Sequence, residues 1–194
     1  MIRIALVGEI ASGKTFIAKC FRLPMFNADR EVQKIYKNNR NCFKKLKKKF
    51  PDYIKHFPIK KSEIKKILNK KNIKILSKIV HPYVQLNLKN FEKKYHNYKF
   101  VVLDIPLLIE NKLFKNSDIL IGIKTSEKTI TERLKKRENY NKKIIEILRN
   151  QQLSIKKKIK FCDFIIENNS HKNNILKQIK IIKKKINDRS SIRY

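Results

Sequence analysis

The sequence predicts an α/β protein: a five-stranded parallel sheet with helices on both faces. Three observations carry that expectation. Short apolar runs alternate with stretches of helical spacing, the pattern of a parallel sheet wound with crossover helices. The first run leads straight into Gly8-Glu9-Ile10-Ala11-Ser12-Gly13-Lys14-Thr15, which fits the phosphate-loop pattern G-x-x-x-x-G-K-[ST]. A helical spacing opens behind it at Phe16, Ile17 and Cys20, so the motif stands between a strand and a helix, the context it requires.

Taken in order, residues 2–7 are dense enough in Ile, Ala, Leu and Val for a buried parallel strand. The first helix covers about 13–22 and stops at Leu23-Pro24, because proline disfavours helix in the residue before it. Met25-Phe26-Asn27 is a short second strand, closed by Ala28-Asp29. From Asp29, residues Val32, Ile35, Tyr36, Phe43, Leu46 and Phe50 make one apolar stripe, which predicts a single helix ended by Pro51. Asp29 is placed to cap it. Residues 51–60, with Pro51 and Pro58, are expected to be a loop. Ser62 is expected to cap a short helix through Ile64, Ile67 and Leu68. A further helix runs from about Ile73 towards Tyr95, and the His81-Pro82 step predicts a bend or a break in it. Roughly 30–97 is therefore a helical insertion between strands two and three.

Lys99 to Leu103 predict a third strand with Asp104 at its carboxyl end, and Asp118 to Ile123 a fourth. Ser126 or Thr125 starts a helix through Ile130 and Leu134 to Arg137. Tyr140 to Gln151 is a second helical piece, rich in Lys and Arg. Asp163 to Ile166 form the last strand, closed by Glu167-Asn168-Asn169. Over about 171–187, Ile175, Ile179, Ile182 and Ile186 repeat as one helix, and the polar tail after Asp188 is expected to be disordered. The expected organisation is one domain over 1–194, with its core in 1–29, 98–125 and 160–187.

The loop carries the chemistry. Gly8 and Gly13 allow a tight turn and close approach to an anion. Loop N–H groups and the helix N-terminus then cradle phosphates. Lys14 reaches the β- and γ-phosphates, and the Thr15 hydroxyl is placed to hold Mg²⁺. Glycine is scarce, 3 in 194 residues, and two of the three stand in this motif, which argues against an accidental match. In open α/β sheets ligands sit beyond the carboxyl ends of the strands, where Gly8, Asp29, Asp104 and Asn168 all fall.

The formal net charge is +33, from 49 Lys+Arg against 16 Asp+Glu. Such an excess suits a nucleic-acid binder, or a drift towards Lys, Ile and Asn with lysines on solvated faces. The lysines are spread along the chain rather than gathered in one stripe, which favours the second reading. They would still steer polyanions such as nucleotides inward. No run approaches 18 consecutive apolar residues, so no membrane span is expected. The chain opens on a strand rather than a signal segment. Cys20, Cys42 and Cys162 are odd in number and widely spaced, which suits a reducing, cytoplasmic location and neither a disulfide framework nor a zinc site.

Several further segments follow in a particular order: Asn27-Ala28-Asp29, His81-Pro82, Asp104-Ile105-Pro106-Leu107-Leu108-Ile109-Glu110, Glu132-Arg133-Leu134 with Arg137, Gln151, and Asp163-Phe164-Ile165-Ile166-Glu167-Asn168. With the phosphate loop, this set resembles the dephospho-CoA kinases over residues 2 to about 169. Their pattern has a phosphate loop, Asp-Ala-Asp, His-Pro, Asp-x-Pro-Leu-Leu-x-Glu, an arginine-bearing lid and a late Asp-x-x-Ile-x-Asn. The Asp-x-Pro-Leu-Leu-x-Glu string is its most specific part.

The resemblance implies the three-layer P-loop kinase fold, a substrate-binding insertion at about 30–97 and a short lid at about 126–152. It implies transfer of the ATP γ-phosphoryl to the ribose 3′-hydroxyl of dephospho-CoA, with Mg²⁺. ATP would lie along Gly8 to Thr15 and Asn168, and the acceptor against Asp29, His81, Asp104, Pro106 and Leu107. Thr15 and Asp104 would hold the metal. Asp29 would orient or deprotonate the acceptor hydroxyl, while Lys14, Arg133 and Arg137 stabilise the transferring charge. Arg133 and Arg137 are four residues apart and so share a helix face.

A plainer reading stands beside each assignment. Asp29 serves as a cap only, Asp104 bonds nearby backbone, the arginines form a solvated basic face, His81 is satisfied within the insertion, and Asn168 shapes a turn. The chain departs from the family pattern at Glu9 and Ala11, where glycines are usual, at Asn27, and at Glu132. Ala11 suits the loop if its φ is negative, and Glu9 if it turns away from the phosphates. The expected oligomeric state is a monomer or weak homo-oligomer. The competing functions are another P-loop nucleotide or small-molecule kinase and, from charge alone, a P-loop RNA-binding protein.

Overall fold

The computed structural model describes residues 1–137, 140–169 and 172–191. Five strands, β1 (Ile2–Gly8), β2 (Met25–Asn27), β3 (Phe100–Asp104), β4 (Ile119–Lys124) and β5 (Phe164–Glu167), form one sheet in the order β2-β3-β1-β4-β5. Every neighbouring pair is parallel. The register sets Ile2 beside Phe100, Gly8 beside Ile123, and Asn27 beside Asp104. The carboxyl ends of β1, β2 and β3 are thus brought together.

The strand alternation feeds two cores. Ile4 and Leu6 point to one face with Val102 and Ile121. There they meet Ile17 and Phe21 of α1 (Lys14–Cys20) and the Ile175, Ile179, Ile182 and Ile186 row of α9 (Lys172–Ser191). Ala5 and Val7 point to the other face, with Phe26, Leu103, Leu108 and Ile109. Phe91, from α5 (Lys70–Lys94), packs against that second face. The insertion builds a third core of its own from Ile35, Cys42, Leu46, Ile54, Ile67, Leu76 and Val80. Among the described residues no helix is long and apolar enough to cross a membrane.

Several elements differ from the sequence expectation. The stripe from Asp29 to Phe50 is two helices, α2 (Ala28–Asn38) and α3 (Arg40–Lys49). Asn39 sits between them in extended backbone, φ −99° and ψ 98°, and its side chain accepts from the Cys42 N–H at 2.8 Å. A capping side chain has broken a helix whose apolar period runs on unbroken. The reverse holds at Pro82, where α5 continues through all 25 residues. The missing N–H costs one intrahelical bond. Packing holds both halves in line, because Leu76 and Val80 join the insertion core and Phe91 joins the sheet.

Ser62 caps nothing: α4 (Lys61–Ile67) starts at Lys60, whose N–H donates to Glu63 Oε2 at 3.0 Å. Ser126 is the cap of α6 (Glu127–Lys135), which ends before Arg137. Beyond α7 (Lys142–Arg149) lies a short helix, α8 (Ile155–Ile159), with no counterpart in the sequence reading. Helix α9 carries on to Ser191 where disorder was expected after Asp188, and residues 192–194 of that tail lie outside the described residues.

Candidate functional site

The phosphate loop turns tightly between β1 and α1. A Cβ on Gly8 would lie 2.6 Å from Ser12 Oγ and 3.2 Å from the Ile123 carbonyl, so the loop closes only because position 8 has no side chain. Gly13 takes φ 92°, and a Cβ there would overlap Asn168 Nδ2. Ala11 also takes positive φ, 61°, so the condition under which it would sit in the loop without strain is not met. Lys14 Nζ folds back on the loop, donating to the Gly8 carbonyl at 3.1 Å and the Glu9 carbonyl at 2.8 Å.

Distant segments fasten the loop. The Ser12 carbonyl accepts from Asn168 Nδ2 at 2.7 Å, Thr125 Oγ1 at 3.0 Å and Arg133 Nη1 at 3.2 Å. Arg133 Nη2 also reaches the Asn168 carbonyl and side-chain oxygen, at 3.1 and 3.2 Å. Gln152 Oε1 accepts from the Ile10 N–H at 3.1 Å. The ends of β4 and β5 and helix α6 therefore converge on one turn of backbone.

The carboxylate side of the site is set by Asn27. Its Oδ1 accepts from the Arg30 N–H at 2.8 Å and so caps α2. This corrects the placement of Asp29 as the cap and leaves the Asp29 carboxylate free of that bond. Asn27 Nδ2 donates to Asp104 Oδ2 at 2.6 Å, and Thr15 Oγ1 donates to the same oxygen at 2.6 Å. Asp104 is buried, whereas Thr15 opens on the cavity.

That cavity has a volume of about 710 Å³. The loop contributes Ile10, Ala11, Gly13, Lys14 and Thr15 to its wall. Asp29, Asp104, Pro106 and Leu107 form another side, and Arg133, Arg137 and Asn168 a third. Burial pushes the Lys14 amine down to about 8; Asp104 opposes that shift, and Lys158 adds to it. The Asp29 carboxylate opens on the cavity's solvent yet is walled by protein on its other sides. That surround, and then the charge of Asp104, hold its carboxyl above the usual range, while Lys14 and Arg137 pull it back.

A family model described as dephospho-CoA kinase matches residues 2–174. The chain belongs to the dephospho-CoA kinase family.

Sequence relatives agree. The dephospho-CoA kinase of the Wolbachia of Brugia malayi is 33% identical over 186 residues, covering 92% of this chain and 95% of that protein. That of Bartonella henselae is 33% identical over 190 residues, covering 94% and 97%. The crystal structure of TT1252 from Thermus thermophilus shares the fold at a TM-score of 0.76 and 20% identity, covering 95% of this chain and 97% of that one. The dephospho-CoA kinase from Campylobacter jejuni shares it at a TM-score of 0.61 and 22% identity, covering 95% and 96%. The chain is an ATP-dependent kinase of the dephospho-CoA kinase family with a P-loop kinase fold.

Within this member of the family, the residues singled out from sequence separate into two groups. Lys14, Thr15, Asp29, Asp104, Pro106, Leu107, Arg133, Arg137 and Asn168 line one cavity. Arg137 does so from beyond the end of α6, not from the helix face shared with Arg133. Gly8, Glu9 and Ser12 shape the loop from outside the wall, and His81 stands on an exposed stretch of α5 away from it. Sequence reasoning missed Gln152, Thr125 and Ile73, which fasten the loop or line the cavity. Thr125 had a signal, because it follows the carboxyl end of a parallel strand. Gln152 and Ile73 had none.

Proposed function

We propose that this chain transfers the γ-phosphoryl group of ATP to the ribose 3′-hydroxyl of dephospho-CoA, giving ADP and CoA. The observation that supports it most is the shared cavity: the Lys14 amine and the Asp29 carboxylate open on the same 710 Å³ space. Donor and acceptor can then meet there with no large rearrangement of the sheet.

Phosphoryl transfer is chiefly positioning and charge stabilisation. The loop N–H groups and Lys14 receive the β- and γ-phosphates. Asp29 accepts the hydrogen of the acceptor hydroxyl and orients its oxygen in line with the γ-phosphorus. Its carboxyl, held above the usual range, is a better proton acceptor than an ordinary aspartate. Arg137 faces the same space as a second positive charge. Arg133 keeps Asn168 and the loop in register through its bonds to both.

Thr15 and Asp104 fit a magnesium ion: a hydroxyl and a carboxylate oxygen 2.6 Å apart, hard donors at the phosphate end of the cavity. Among the described residues no group of three or more His, Cys, Asp or Glu could hold a metal by itself, and magnesium with phosphate ligands needs none. Magnesium held there supplies charge neutralisation for the β- and γ-oxygens. Cys20, Cys42 and Cys162 are unpaired, which supports placing the enzyme in the reducing cytoplasm.

The test is a panel of acceptors with ATP: dephospho-CoA, AMP, thymidylate and RNA, with ADP release measured for each. Dephospho-CoA alone is expected to support turnover, and Lys14→Ala to abolish most of it. Release of ADP with one of the others and not with dephospho-CoA overturns the reading.

A further inference from the structure

Behind the phosphate loop lies a cation that the reaction as described does not use. In a chain with 49 Lys+Arg, Lys158 of α8 is the only buried lysine among the described residues, 2% exposed. Its Nζ lies 2.8 Å from Glu110 Oε1 and donates to the Gly8 carbonyl at 3.4 Å. Glu110 Oε1 also accepts from the Leu153 N–H at 2.9 Å. One residue earlier, Gln152 holds the Ile10 N–H. Segment 152–158, returning from the lid, is thus tied to the loop at both Gly8 and Ile10.

A buried ion pair is a poor way to stabilise a fold, since apolar side chains of equal volume do as well or better. A chain so rich in solvated lysines has no need of a buried one for solubility. What distinguishes this ammonium is its place. It joins the end of β1, the turn after β3 and α8 at one point. It shares the Gly8 carbonyl with the Lys14 amine, which donates to the same oxygen from the cavity side.

We propose that Lys158 is a positioning residue: paired with Glu110 and held against the Gly8 carbonyl, it keeps the phosphate loop in its phosphate-receiving shape and places the Lys14 amine. The proposal rests on reading the loop as the ATP site. It adds a second cation that never touches nucleotide.

The experiment is a calorimetric titration of the full chain with ADP at one near-neutral pH. It needs no acceptor, so it reads the loop whether or not dephospho-CoA is the substrate. Lys158→Met/Glu110→Gln removes the pair without leaving a buried charge alone. Its Kd for ADP is expected to rise about tenfold, the equivalent of one misplaced charge-assisted contact. Lys158→Arg, which keeps the charge, should retain most of the affinity. If the double variant melts far below the wild type, Glu110→Gln alone is read instead, and a several-fold rise in Kd is expected. A wild-type Kd in whichever of these variants is folded overturns the proposal. Turnover lost with every acceptor in the wild-type protein, with ADP binding intact, would count against the reaction and not against Lys158.

Discussion

The Thr15 hydroxyl donates to Asp104 Oδ2 across 2.6 Å, joining the first turn of α1 to the end of β3 over 89 residues of sequence. The two residues proposed to hold magnesium are in contact with each other. Asp104 also raises the Asp29 carboxyl by like-charge repulsion, second to burial. Asp104→Asn should lower kcat by about 100-fold, the usual cost of removing one preorganised charge contact. It should also move the acid limb of kcat/KM to lower pH, since Asp29 loses a neighbouring negative charge. Steady-state pH profiles of the two proteins check both effects.

Lys14 sets a second pH dependence. Its amine sits near 8 in the free protein, below the ordinary 10.5, because burial disfavours the ammonium. Below pH 8 the ammonium is present before and after nucleotide binds. Above it, binding must return a proton to Lys14, so affinity for ATP falls as pH rises through 8. Titrations in two buffers of different ionisation heat should show little proton uptake at pH 7 and clear uptake at pH 8.5. The same shift acts on stability with its own sign: the cost of the buried charge is present below pH 8 and is relieved as pH climbs towards 10.5.

Asn27 and Asp29, the proposed proton acceptor, should separate stability from catalysis. Asn27→Ala removes the cap of α2, worth about 1 kcal/mol, and one donor to Asp104, so Tm should fall. Asp29→Asn should leave Tm unchanged, since Asp29 caps nothing, and lower kcat by about 100-fold, within the usual range for a general base. Thermal melts and turnover of the two variants, measured side by side, test the division of labour. Equal loss of kcat in both with unchanged Tm would refute it.

Ala11 stands in left-handed backbone at φ 61°, where an L side chain costs about 1 kcal/mol. Ala11→Gly should relieve that strain and raise Tm by about 2–4 °C for a chain of this size. Nucleotide affinity should be retained. A lower Tm in the variant would show that the Ala11 methyl packs more favourably than its backbone strain costs.

Much of this architecture was readable from the chain. The phosphate loop, the apolar density of β1 and the three residues of β2 depend on neighbours in sequence, and they appear where the pattern places them. The α9 isoleucine row at 175, 179, 182 and 186 is likewise a local period, and it packs on the sheet as such. The convergence of Lys14, Asp29, Asp104 and Asn168 follows from the rule that parallel strands end on one rim.

Other features were decided only by the folded chain. Asn27 and Asp29 are equally good caps by composition; the pairing of Asn27 with Asp104 in the sheet selects the first and leaves the second to the cavity. Pro82 reads as a breaker, yet contacts on both sides carry α5 through it. Lys158 is one lysine among many until α8 folds beneath the loop and takes it out of water. His81, matched to the acceptor by resemblance alone, stands on an exposed stretch of α5 outside the wall of that cavity. Spacing and turn chemistry act over a few residues and are written in order along the chain. Burial, charge pairing and cavity walls join residues a hundred or more apart, and their energies exist only once those residues have been brought into contact.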